Sequence, residues 1–170
     1  NLALRHPGVT GLGYWVWQSR QLVDWLVKQP EIDARRIGIA GHSLGGKMAL
    51  YASAFEPRIR AVVSSEPGIS LAFSNYGDPW YFGERLALLP KGSDQHELLE
   101  IIAPRPFLLI AGEDSDGDKS RPVLERAAPA YAATGGAGKL FFLNHRTGHS
   151  PTPESIVSAM EWLAGALRAE

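Results

Sequence analysis

An α/β fold built on a parallel sheet is predicted by three observations. Short, largely apolar runs of four or five residues alternate along the chain with longer segments whose apolar residues fall on one side of a helix. The runs do not alternate with polar residues, which is the pattern of strands covered on both faces. The first run, Arg36-Ile37-Gly38-Ile39-Ala40, passes straight into the turn Gly41-His42-Ser43-Leu44-Gly45 and the helix-like run Met48-Ala49-Leu50-Tyr51-Ala52. Repeated strand, crossover helix and strand imply parallel pairing with right-handed connections.

In chain order, the pattern predicts a helix over 14–29, with Trp15, Leu22, Val23 and Leu26 toward the sheet and Gln18, Arg20, Asp24 and Lys28 toward water. The strand over 36–40 follows, then a helix running to about residue 55 and a strand over 61–65. A long loop, 66–92, leads to a short helix over 94–101 and a strand over 107–111. A helix over 121–133 and a strand over 140–143 come next. The terminal helix, 153–169, is capped by Thr152, carries Pro153 in its first turn and is expected to bury Ile156, Met160, Leu163 and Leu167.

The strand–turn–helix context gives the G-x-S-x-G segment a chemical reading. A serine on so tight a turn lifts its hydroxyl out of the sheet, and residues two before and two after it are expected to need glycine. The helix it opens leaves the Leu44 backbone N–H free to stabilise an oxyanion. A nucleophilic serine needs a base, and the loop Asn144-His145-Arg146-Thr147-Gly148-His149-Ser150 supplies one after the last strand. His149 is the expected base. His145, next to the strand end, competes with it, whereas His6 and His96 are read as facing solvent. The base in turn needs a fixed carboxylate. The loop Gly112-Glu113-Asp114-Ser115-Asp116-Gly117-Asp118 holds four, of which Asp116 is the first choice and Asp114 the second; Glu113 and Asp118 are read as rim charges. Glu66, just past the strand over 61–65, is the alternative acid. Asp114, Asp116, Asp118 and Glu125 also fall at spacings of a calcium loop, but Lys119 stands where that loop requires glycine.

Composition narrows the function further. The chain has 170 residues, enough for one domain (1–170), with 45% apolar and 21% charged residues and a formal net charge of −1. Nothing marks a surface for nucleic acid or for an anionic membrane. Cysteine is absent, so disulfides, thiolate zinc sites and a cysteine nucleophile are excluded, and the compartment stays open. The reading calls for no cofactor and no metal. In the loop over 66–92, Trp80 and Tyr81 are expected to wall a substrate pocket and Phe73 to pack on the core.

The elbow 36–46, the segment Ile102-Ala103-Pro104-Arg105-Pro106-Phe107-Leu108-Leu109-Ile110 and the pair Gly148-His149 resemble the α/β-hydrolase superfamily, most of all its dienelactone-hydrolase and acetylxylan-esterase-like branch. Lys47, four residues after the serine, Glu66 and Asp94-Gln95-His96-Glu97-Leu98 are similar to glucuronoyl esterases. That resemblance implies a sugar-hydroxyl contact for Lys47, and Leu44 departs from the arginine that follows the serine there. The superfamily implies a partial α/β-hydrolase fold: a parallel sheet of about four strands with flanking helices and N-terminal strands missing, as in the C-terminal part of a catalytic domain. The function implied is a serine carboxylic ester hydrolase with the triad Ser43, His149 and Asp116, acting on a small-molecule or carbohydrate ester. A serine peptidase of the prolyl-oligopeptidase type and a catalytically silent binding domain are the alternatives.

Overall fold

The computed structural model describes residues 5–168. Four parallel strands, β1 (Ile37–His42), β2 (Ile59–Ser65), β3 (Phe107–Ala111) and β4 (Leu140–Asn144), lie side by side in chain order. Helix α1 (Gly11–Leu26) precedes them, α2 (Leu44–Phe55), α3 (His96–Ile102) and α4 (Arg121–Ala133) connect them, and α5 (Pro153–Arg168) follows. This is the α/β architecture that the alternation of runs predicts. Among the described residues β1 pairs only with β2, and β4 forms the other edge.

Successive residues of a strand point to opposite faces, and the central strands show it directly. Val62, Phe107 and Leu109 join the main core with side chains of α1 to α4. Val63, Leu108 and Ile110 point the other way, against Ala159, Trp162 and Leu163 of α5. Arg105 ties the first layer together: its buried guanidinium donates to the carbonyls of Ser53 at 2.7 Å, Ile59 at 2.7 Å and Ile102 at 3.0 Å. Ser53 and Ile102 lie near the C-terminal ends of α2 and α3, where unpaired carbonyls attract a cation.

The register of the first pair fixes the site. His42 pairs with Ser65, so Ser43 and Glu66 are each the first residue beyond the paired ends of β1 and β2. The Ser43 amide still donates to the Ser65 carbonyl at 2.7 Å.

Several helix faces differ from the periodicity. Helix α1 starts three residues earlier than expected and buries Leu12 and Val23, while Leu22 is exposed. In α5 Thr152 does cap the first turn, accepting from the Ser155 amide at 3.2 Å. However, Ser155 and Ala159 are its buried residues, and Ile156 and Met160 face outward. Small side chains let this helix lie close to the sheet, and Leu163 and Leu167 reach across to Gly38, where a Cβ would sit 2.9 Å from Leu167 Cδ1. Residue 169, expected to end this helix, lies outside the described residues. His96 is buried, its Nε2 2.9 Å from the Arg126 guanidinium. Within the long loop a short 3-10 turn forms at Gly83–Leu88.

Candidate active site

Ser43 stands between β1 and α2 with φ 56° and ψ −117°, a backbone conformation that a residue with a side chain adopts only when its surroundings impose it. Two glycines make the turn possible. A Cβ on Gly41 would lie 2.0 Å from the Gly45 carbonyl oxygen, and one on Gly46 would lie 2.6 Å from the Ser65 carbonyl oxygen. The expectation that Gly45 is also sterically required is corrected, because a Cβ there would meet nothing within 4 Å. Leu44 is the first residue of α2, so its amide has no intrahelical acceptor and points out of the helix end beside Ser43.

The loop after β4 brings His149 onto the serine. Its Nε2 lies 2.8 Å from Ser43 Oγ, the position from which the hydroxyl donates to the ring. Its Nδ1 lies 2.6 Å from the Ser115 hydroxyl and 4.0 Å from Glu66 Oε2. A ring that accepts at Nε2 carries its proton on Nδ1, which therefore donates to Ser115 Oγ. His42 lies beside this ring, tilted 42° to it with centroids 4.9 Å apart. Burial, followed by the charges of His149 and His145, holds the His42 imidazole below its ordinary pKa.

The first-choice acid is not brought to the base. Asp116 is fully buried and faces the loop after β2, where its oxygens accept from the Gly68 amide at 2.8 Å, the Ile69 amide at 2.7 Å and the Ser120 hydroxyl at 2.8 Å. Three donors hold both of its oxygens there. Asp114 is exposed on the same loop, and Glu113 and Asp118 sit on the rim, where Asn144 and Arg146 engage them. Asp116 turns inward while Asp118 turns outward, so the calcium-loop spacing gathers no cage. The carboxylate that does approach the base is Glu66. It is 1% exposed and has φ +49°, a second strained non-glycine residue one strand over from Ser43. Burial, assisted by the charges of Asp116, Asp114 and Glu113 and opposed by the Gly112 amide, pushes its carboxyl up to about 7. His145, the rejected competitor, lies with Nε2 2.6 Å from Glu66 Oε1.

The expected pocket residues are placed differently. Lys47, one turn after Ser43, is buried; its ammonium donates to the Pro67 carbonyl and to Ser74 Oγ, 2.9 Å away, under the faces of Tyr76 and Tyr81. Burial pulls its pKa down to about 8. Tyr81 is a core residue packed edge-on against Trp15, and only Trp80 is exposed, beside a cleft shared with Val9, Tyr14 and Trp15. Phe73 packs against the core, as expected. Ser115 was not singled out by the sequence, where it is one hydroxyl among four carboxylates.

The fold is of the α/β-hydrolase type, carrying a serine at its strand-to-helix turn and a histidine on that serine's hydroxyl. A family model described as glucuronyl esterase, fungi, matches residues 8–74, a stretch that includes Ser43, Lys47 and Glu66. A 4-O-methyl-glucuronoyl methylesterase from Cerrena unicolor is 43% identical over 126 residues, 59% of this chain and 27% of that protein. One from Wolfiporia cocos is 31% identical over 122 residues, 55% of this chain and 29% of its own. Among solved structures, a carbohydrate esterase family 15 glucuronoyl esterase from Caldicellulosiruptor kristjansonii superposes with TM-score 0.79 at 26% identity, covering 94% of this chain and 51% of that one. The chain thus spans less than a third of those curated relatives and about half of that structure.

Proposed function

We propose that this chain carries the nucleophile, base and acid of a serine carboxylic ester hydrolase whose substrate is a uronoyl ester of a carbohydrate. The single observation that supports it most is the 2.8 Å contact between Ser43 Oγ and His149 Nε2 at a strained elbow. In this reading His149 takes the serine proton as Oγ attacks the ester carbonyl, and the Leu44 N–H donates to the oxyanion. His149 then returns the proton to the departing alcohol. Water, deprotonated by the same ring, releases the uronate from Ser43 and closes the cycle.

Glu66 takes the part first assigned to Asp116, stabilising the imidazolium that forms in both steps. The matches to glucuronoyl methylesterases favour a uronoyl acyl group over the dienelactone and acetylxylan alternatives and over a peptide. Lys47 acts from below, fixing the Pro67 segment next to Glu66, and Trp80 remains a candidate for a sugar face.

A fluorophosphonate probe reports nucleophile and base without requiring a full turnover. It should label Ser43, and Ser43→Ala should abolish labelling along with hydrolysis of methyl glucuronate. Unchanged hydrolysis in that variant, or preference for a prolyl peptide bond over the uronate ester, would overturn the reading.

A further inference from the structure

Resting on that reading, the geometry points to His145 as a positioning residue that holds the Glu66 carboxylate toward the base. Four observations carry this. First, His145 is placed by backbone, not by chance: its amide donates to the Ala111 carbonyl at 3.0 Å, continuing the β3–β4 ladder one residue past β4. Second, its side chain is 4% exposed and that of Glu66 is 0% exposed, so the 2.6 Å contact between them is shielded from water. Neither Nε2 of His145 nor either Glu66 oxygen forms a hydrogen bond of ordinary geometry among the described residues, so the two groups are held in close approach in a site closed to water.

Third, the other ring nitrogen defines the proton. Nδ1 of His145 receives the Thr147 amide at 3.3 Å and lies 2.7 Å from the Thr147 hydroxyl. A backbone amide can only donate, so Nδ1 is the acceptor and the proton sits on Nε2, the nitrogen that lies against Glu66 Oε1. This is the outer-shell arrangement by which a histidine orients a carboxylate or the reverse. Fourth, the pair is closed in from behind by Gly112. A Cβ there would stand 2.4 Å from Glu66 Oε1 and 2.6 Å from His145 Cε1, so neither side chain has room to retreat on that side.

One carboxylate therefore lies between two imidazoles with different jobs. Oε1 is taken by His145, which leaves Oε2 as the oxygen that faces His149 Nδ1 at 4.0 Å. Without His145, Glu66 would lose the side chain that lies against Oε1 and could turn either oxygen to any neighbour. The base would then lose a fixed negative charge at its Nδ1 side. His145 touches neither Ser43 nor the reacting ester in this scheme; it acts through Glu66.

The test compares His145→Ala and His145→Gln with the parent chain, using the second-order rate of fluorophosphonate labelling at Ser43 per folded molecule, with folding checked by thermal unfolding. The Gln amide can place an N–H near the Nε2 position, whereas Ala cannot. The expected result is a labelling rate lowered about 10- to 100-fold in His145→Ala, the scale of a misplaced reacting group. His145→Gln should restore most of that loss. Should the Ala variant unfold, the Gln variant alone decides: labelling within about threefold of the parent supports positioning. Equal rates in folded Ala variant and parent, or a Gln variant as slow as Ala at full folding, would overturn it. Absence of labelling in the parent would instead remove the ester-hydrolase reading on which this rests.

Discussion

Two buried carboxylates, each on a loop just past a central parallel strand, behave in opposite ways. Asp116, after β3, accepts from two backbone amides and a hydroxyl and sits in a structural knot between its loop and the loop after β2. Glu66, after β2, has a strained backbone, two histidines beside it and a pKa displaced to about 7. A buried carboxylate saturated by amide donors has spent its charge on holding the chain together. One kept short of donors is held toward its neutral form, and an imidazolium formed beside it is the group that stabilises its charge. Position past a strand end does not distinguish the two; the hydrogen-bond inventory does.

The sharpest way to break this contrast is to neutralise each carboxylate without changing its size. Glu66→Gln should lower kcat, or the rate of Ser43 labelling, by about 10²- to 10⁴-fold while the protein stays folded, approaching the loss seen when a triad acid is made an amide. Asp116→Asn should do the reverse. Its new N–H₂ would face the amide of Gly68 or Ile69, a loss of about 3 kcal/mol, read as a fall in Tm of about 10 °C, with labelling per folded molecule retained. Large rate loss in Asp116→Asn alone would restore it as the acid.

Stability against pH is a smaller effect with a definite sign. Glu66 rises from 4.5 to about 7 on folding, so between those values the folded protein binds more protons than the unfolded chain. Stability contributed by this group is present below 4.5 and is lost as pH rises through about 7. Glu66→Gln should remove that slope, so that its Tm relative to the parent improves across the interval. A difference that stays flat across it would place Glu66 in an ordinary environment. Smallest of all is Ser115→Ala, which deletes one neutral hydrogen-bond acceptor at His149 Nδ1. It should slow labelling about three- to tenfold. A loss as large as that of Glu66→Gln would make the hydroxyl, and not the carboxylate, the principal partner of the base.

Much of this was legible in the chain. The elbow, the histidine that meets its serine and all four strands follow from local patterns: a glycine-flanked serine between an apolar run and a helix, and a Gly-His pair after the last strand. Which carboxylate approaches His149 was not, because the placing of Asp116 is decided by donors 47 and 48 residues away, from Ile69 and Gly68. Carboxylate density in the loop after β3 drew the first choice to Asp116, while Glu66, alone past the strand over 61–65, entered only as the alternative. Lys47 and Tyr81 mislead for a related reason. Their residue types suit a sugar site, yet the 66–92 loop folds back and buries both. In α5, periodicity alone cannot tell a face of large residues from one where Ser155 and Ala159 permit closer approach.

The pairing of His42 with Ser65 has a mechanical meaning as well. Because Ser43 and Glu66 follow that pair directly, their main chains leave the sheet one strand spacing apart, about 4.8 Å, held by the hydrogen bonds between β1 and β2. The sheet serves as a ruler. Drift in the loops that carry His149 and Ser115 can move the imidazole, while Ser43 and Glu66 keep their separation as long as β1 and β2 stay in step; a slip of one residue would shift one past the other and flip the slipped strand's faces.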